Sequence, residues 1–344
     1  MNTPHTVFAG SIAYTVVDDV SLVHRALITG AVLDEITGEA PSGDLDVRAA
    51  EPGVQTRSTG LGLYGVAAYP SRSVPHLDTT SYTFHLSFAA TGYRAADLSV
   101  QIPQNSPLPV TAPEVLLRRL PVSIGGRVVG EVNGAPVAGA TVQVITPQTV
   151  ALHQPARFNH AAGVPVRVRA LTPDAVPRTL AVGTAAGDSR VVLDNQSGLS
   201  PGDVLLFDPS REVEYVVVES LAAVGVNLSA PLKHSFPSGT AAPRVTLGGV
   251  TDSSSLAQAA EAGEAVLLLA STVAGAALEI DDPPRREFHA LGARTSAQGY
   301  YSIAGIARLK TAQLKASAPG FTGTPTVILT IDYDRPVNPV DFRL

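Results

Sequence analysis

The chain has 344 residues, enough for two or three domains with real cores, and its 30 acids against 24 bases leave a formal net charge of −6. That charge is too mild to imply a nucleic-acid partner or an acidic tail. Charged residues reach only 16% of the chain, and there is neither Cys nor Trp, which excludes disulfide scaffolds, thiolate zinc, iron–sulfur clusters and thiol catalysis.

At the amino terminus, Met1-Asn-Thr-Pro-His5 lacks a basic stretch, and the apolar run from Val7 to Val17 is broken by Gly10, Ser11 and Thr15 before Asp18-Asp19. The run is too short and too polar for a membrane span and wrongly flanked for a secretion signal. The expectation is therefore synthesis in the cytoplasm, with no membrane span. Further on, short runs rich in Val, Leu, Thr and Ile are punctuated by Gly, Pro, Asn and Asp. They predict strands at Ser11–Val17, Leu27–Leu33, Leu45–Ala49, Tyr82–Ala89, Leu98–Ile102, Arg127–Val132, Thr141–Ile145 and Thr326–Ile331. The fold class expected is all-β, with antiparallel sandwiches. One stretch differs: Ser253-Ser-Ser-Leu-Ala-Gln-Ala-Ala-Glu-Ala-Gly263 has a Ser cap, strong helix formers and a Gly stop, and predicts a short helix over about 253–262.

An internal repeat organises the chain. Gly30, Gly38 and Gly43 are spaced 8 and 5, and so are Gly126, Gly134 and Gly139. Thr59-Gly-Leu-Gly62-Leu-Tyr64 matches Ser296-Ala-Gln-Gly299-Tyr-Tyr301, and Ala90-Thr-Gly92-Tyr93 matches Ala318-Pro-Gly320-Phe321. Gly30 to Gly62 spans 32 residues but Gly126 to Gly299 spans 173, so the second copy holds about 141 extra residues. The expected domains are a first sandwich over 1–103, a Pro-rich linker over 104–120, a second sandwich from 121–145 and 290–344, and an insertion over 146–289. Within the insertion, alternating strands from Ala186 to Gly239 predict a small barrel-like β-module over about 180–247. Glu264–Ser271 and Ala276–Ile280 are expected to be strands that return the chain to the second copy.

The second copy resembles the carboxypeptidase regulatory-like, transthyretin-like sandwich family. The residues that carry the likeness are Gly126, Gly134, Pro136, Gly139, Ala140, Val142, Thr295, Gly299, Tyr301, Ile303, Gly305, Leu314, Ala316, Pro319, Gly320 and Phe321. Alternation points Tyr301, Ile303 and Leu314 inward. The first copy follows the same plan with Thr91 where the second has Pro319. The module at Gly187-Asp-Ser-Arg, Ser197-Gly-Leu-Ser-Pro-Gly202-Asp203, Glu214-Tyr-Val-Val-Val218 and Pro231-Leu-Lys-His234 is similar to small β-modules of phage tails and baseplates. Together these resemblances imply a non-enzymatic structural subunit of a phage tail or phage-tail-like contractile injection particle. Its implied partners are other subunits of that assembly and further copies of itself, and it would be built into the particle after cytoplasmic synthesis. The other reading is a surface or secreted adhesion module that binds glycan or protein through loops such as Ala67–Thr80 and Leu152–Val164.

Several motifs with a chemical meaning also have a plain structural reading. Gly60-Leu-Gly62-Leu-Tyr-Gly65 fits a dinucleotide fingerprint, but Tyr69-Pro70 follows where a helix is needed, so the repeat's strand is the better reading. Gly187-Asp188-Ser189 reads as a β-turn, with no Asp-x-x-His block after it. Among the eight histidines no pair sits at i, i+2 or i, i+4; His153 and His160 share a loop and are the one pair kept for a metal on a symmetry axis. Asp18-Asp19, Glu212 with Glu214, Asp281-Asp282, and Asp332 with Asp334 are acidic pairs better suited to guarding strand edges than to calcium. Scattered bases and ungrouped aromatics argue against nucleic acid. Tyr64, Tyr93, Tyr300 and Tyr301 fall at core or turn positions of the sandwich rather than on a sugar-binding platform. No catalytic, cofactor or metal residue is assigned, and no cofactor is expected.

Overall fold

The computed structural model describes residues 6–9, 12–17, 20–207 and 213–344. The acidic candidates Asp18, Asp19 and Glu212 lie outside them. The described chain is essentially all β, built from several antiparallel sheets, and it divides into two compact units at Leu120 and Pro121.

The first unit holds β1 (Thr6–Ala9), β2 (Ile12–Val17), β3 (Val20–Asp34), β4 (Leu45–Ala49), β5 (Gln55–Ser58), β6 (Leu63–Ala68), β7 (Tyr82–Ala90), β8 (Ala96–Ile102), β9 (Val110–Thr111) and β10 (Val115–Leu117). A four-residue helix, α1 (Pro70–Ser73), follows β6. One sheet runs β1-β2-β3-β6-β5, with β9 and β10 added parallel to β3; the other runs β4-β7-β8. Period-2 alternation turns Phe84, Leu86 and Phe88 of β7 inward, where they meet Ile28, Val32, Tyr64 and Val66 from the first sheet in one core. The segment 104–120 corrects the expected linker. Its prolines all lie outside the ladders, so β9 and β10 pair with β3, and Val115 and Leu117 are buried.

The second unit opens with β11 (Val122–Val129) and β12 (Thr141–Val144), and closes with β23 (Ala293–Arg294), β24 (Tyr300–Ile306), β25 (Thr311–Ser317), β26 (Thr326–Thr330), β27 (Val337–Pro339) and β28 (Phe342–Arg343). The strand expected at Arg127–Val132 is shifted: β11 ends at Val129, and Gly130 to Gly134 form a turn, with Val132 fully in solvent. Here β24 pairs β11 antiparallel while β27 and β28 pair it in parallel, and β12-β25-β26 form the facing sheet with β23. This repeats the first unit's β6-β3-(β9, β10) and β4-β7-β8. The match reaches single hydrogen bonds. Val32 N donates to Gly62 O and Val128 N to Gly299 O, both at 2.8 Å; Gly38 N donates to Asp34 O and Gly134 N to Gly130 O, both at 2.9 Å. Tyr301, Ile303 and Leu314 are buried in the core, as alternation requires.

Between β12 and β23 lie the inserted strands. β13 (Thr149–Ala151) pairs β20 (Val266–Leu268). The rest are β14 (Pro165–Pro173), β15 (Arg190–Val191), β16 (Val204–Phe207), β17 (Glu214–Leu221), β18 (Val226–Leu228), β19 (Arg244–Ser255), β21 (Ala277–Ile280) and β22 (Glu287–Ala290). They form one open sheet in the order β15-β18-β17-β16-β19-β14-β21-β22, which corrects the expected barrel. The long β14–β19 ladder carries the sheet past the small module centred on Phe207 and Phe236 to a second core around Leu152, Val166 and Leu278, so the edges never meet. The helix expected over 253–262 is also corrected. Ser253–Ser255 end β19, and Leu256 and Ala260 are bridged to Leu269 and His160. Burying those two side chains in the second core outweighs the helix propensity of the alanines. Among the described residues no helix is long and apolar enough to cross a membrane.

Candidate functional site

The densest group of ionisable side chains lies in the second unit, where the loop after β13 crosses β22. The β21–β22 register sets Ile280 opposite Glu287 and Leu278 opposite His289, so Glu287 and His289 share one face of β22. Glu287 is 3% exposed and accepts from the backbone N–H groups of Arg157 (2.8 Å) and Phe158 (3.0 Å). His160 Nε2 lies 2.8 Å from its Oε1 and His289 Nε2 lies 3.1 Å from its Oε2. The other nitrogen of His160, Nδ1, is 2.8 Å from Asp282. Arg157 extends the network into the small module: its guanidinium donates to Glu214 (2.6 Å) and to Pro231 O (2.6 Å). Glu214, itself buried, also accepts from Lys233 N at 2.8 Å.

Electrostatics follow from this packing. Burial by itself pushes the His160 imidazole toward neutrality, but the hydrogen bonds and charges of Glu287 and Asp282 outweigh it and raise its pKa above 6.5. Burial likewise penalises the charged Glu287, yet its bonds to His160 and His289 hold it far below the ordinary 4.5. The raised pKa favours the protonated imidazole between Glu287 and Asp282. It can hold a proton and fix the loop, but His160 is only 1% exposed, so no substrate atom reaches it.

On the opposite face of the same hairpin, buried Glu279 is paired with Arg169 and Arg286, and Arg286 lies 4.8 Å over the Phe288 ring. The first unit has a smaller clamp. Asp34, fully buried, accepts from Ile36 N (2.7 Å), Tyr93 Oη (2.7 Å) and Arg119 Nε (2.6 Å). Burial raises its pKa, but the bonds from Tyr93, Ile36, Arg119 and Thr37 more than reverse that and bring it below 3.8.

The candidate residues of the sequence are dispersed. Gly62 sits in the turn before β6, and Gly187-Asp188-Ser189 is a turn in which Asp188 accepts from Ala185 N at 2.8 Å. His153 Nδ1 faces Gly292 O at 3.1 Å while His160 lies in the carboxylate network, so the loop they share does not make one ligand set of them. Among the described residues no group of three or more His, Asp or Glu is arranged to hold a metal. Of the acidic pairs, Glu214 is buried, Asp281 and Asp282 separate toward Arg167 and His160, and Asp332 pairs with Arg335. Tyr64, Tyr93 and Tyr301 are buried, but Tyr300 is 59% exposed, with the Arg127 guanidinium 5.4 Å from its ring. It forms part of an open cleft of about 420 Å³ with His153, Gln154, His234, Arg294 and Tyr301. Sequence reasoning missed Glu287, Arg157 and Asp34, and it read Asp282 as an edge guard rather than as the partner of His160. Only Glu287-Phe-His289, two polar residues on one face of a buried strand, left a readable signal.

Comparisons with protein-family models, with curated proteins and with solved structures found no match.

Proposed function

We propose that the chain is a non-enzymatic structural subunit of a phage tail or phage-tail-like contractile injection particle. In this reading each copy of the repeat is a transthyretin-like sandwich, the second carries the β-rich insertion, and the protein acts through contacts with other subunits. The observation that carries the reading is how the buried ionisable groups are used. Glu287, His160, Glu214 and Asp34 are all satisfied within the chain, where they fasten long loops to strands. Such internal clamps suit a rigid building part rather than a reaction centre, since catalytic groups must reach a substrate. The resemblance of both modules to accessory and tail-type β-modules supports the particle. Synthesis in the cytoplasm followed by incorporation fits that role. The test is mass spectrometry of particles purified from the native source. The chain is expected at a fixed ratio to the tube and sheath subunits, and its absence from particles overturns the reading.

One observation favours a second reading, adhesion to glycan. The cleft beside the loop at His153 and Gln154 exposes the flat ring of Tyr300 among polar side chains. A glycan array with a hit that Tyr300→Ala removes would favour it over the first.

A further inference from the structure

From the edge strand β26 we infer that two copies of this chain pair through it, antiparallel and about a twofold axis at Ile328. The pairing goes beyond the structural reading and does not depend on the existence of a particle. In the sheet order β23-β12-β25-β26, β26 is the last strand, and among the described residues nothing pairs its far side. Ile331 N donates to Lys310 O and Ala316 N to Pro325 O, so the hydrogen-bonded pairs with β25 fall at residues 325, 327, 329 and 331. The N–H and C=O groups of Thr326, Ile328 and Thr330 therefore point to the open edge. These three positions are symmetric about Ile328, with Thr at both ends and an aliphatic residue, Val327 or Leu329, on each side of the centre.

A second copy laid antiparallel sets Ile328 against Ile328, Thr326 against Thr330, and Val327 against Leu329. All three pairs at the junction whose backbone groups are free become hydrogen-bonded pairs. Val327 and Leu329, which pack on the unit's core, keep their inward face, and the outward faces coincide. Such a self-matched edge is what an isologous contact requires. Thr–Thr and Ile–Ile neighbours across strands are favourable pairs.

Charge decides the occupant. β26 carries no ionisable residue, so a second copy meets no like charge along the junction. Lys315 lies opposite Thr326 on β25, which places the two copies' lysines at opposite ends of the shared sheet. The repeat supplies an internal contrast. In the corresponding edge strand of the first unit, β8, the exposed positions are Asp97, Ser99 and Gln101, and a charge on an edge blunts pairing. In β26 they are Thr326, Thr330 and Ile328, the last 74% exposed. A junction of about five residues a side is far below the ~20–30 of a standard interface, so the dimer is weak and forms with a dissociation constant between about 1 µM and 1 mM.

The experiment is sedimentation velocity of the full chain across that concentration range, with cysteine cross-linking as the register test. The wild type is expected to shift from monomer to dimer, and Ile328→Asp, an exposed position away from the core, to raise the dissociation constant at least about tenfold. Because the chain has no Cys, single thiols report geometry cleanly. Ile328→Cys is expected to cross-link to itself on mild oxidation, since paired Cα atoms lie about 5.5 Å apart. Thr326→Cys is expected not to, because its own copy lies about 14 Å away along the strand. A monomer throughout the range, a dimer indifferent to Ile328→Asp, or self-cross-linking at residue 326 overturns the pairing. A dimer that passes these tests in a chain absent from particles would overturn the particle alone.

Discussion

Glu287 draws together two backbone amides and two imidazoles, which is why a single carboxylate can fix a loop whose own sequence has no regular strand. Removing one member strands the others in a dry site, so Glu287→Ala is expected to cost about 3–5 kcal/mol in guanidinium unfolding. The pH dependence has a defined sign. A raised His160 pKa means its contribution is complete below pH 6.5 and fades as pH rises through the folded value. A lowered Glu287 pKa means its contribution is present above pH 4.5 and fades only as pH falls through the folded value. The clamp is therefore strongest between these two limits. Unfolding free energy should fall from pH 6 toward pH 9 in the wild type, and that part of the slope should vanish in His160→Asn. Glycines give a second prediction at this scale. Gly62 (φ +75°) and Gly299 (φ +78°) occupy matching turns, and a Cβ there would lie 2.4 Å from Val32 O and 2.5 Å from Val128 O. Gly320 has φ +82° but open space around it. Gly320→Ala should cost only backbone strain, about 1–3 kcal/mol. Gly62→Ala and Gly299→Ala should each cost roughly 1–3 kcal/mol more through the clash, as read in urea titrations.

Among the elements, those with local signals were legible and those made by distant partners were not. The 8-and-5 glycine spacing located real turns, since Gly38 and Gly134 both take positive φ and close onto residues four positions earlier. The strands β13 to β22 all fall between β12 and β23, in the stretch where the span arithmetic expects the added residues. The alanine-rich stretch after Ser253 misled because Leu256 and Ala260 find strand partners that no local window contains. His160 and Glu287 are 127 residues apart, and the alternation of Glu287 with His289 does not point to His160 as a partner. The prolines of 104–120 read as punctuation, yet two short parallel strands fit on either side of Pro113. The first copy joins β4 to β5 through only Ala50–Val54, which yields a prediction for the second. Its core takes just Ala151 and Val266, with partly buried Leu268, from the insertion. Replacing residues 146–291 by that five-residue connection should keep a β-type circular dichroism spectrum and one cooperative melt. A chain that no longer folds would show that the insertion is part of the core.

At the scale of the molecule, each compact unit has its own core: Leu27 to Leu117 supply one, and Val122 to Leu344 supply the others. Residues 121–344 expressed alone are expected to fold, with amide exchange protection in β11 and β25 unchanged from the full chain; broad loss of protection would refute this. The parallel strands also set an order in time. In the first unit the last tie to β3 comes from Arg119 to Asp34, 85 residues along; in the second, the last tie to β11 is Leu344 N to Val129 O, 215 residues along. At roughly 5–20 residues per second of synthesis, these ties become possible after about 4–17 s and about 11–43 s. The first copy can thus be complete on the ribosome while β11 of the second still lacks its parallel partners. In that interval the insertion, with cores of its own, is the part free to fold. Two copies of one plan thus give the nascent chain an early half, a middle, and a late closure.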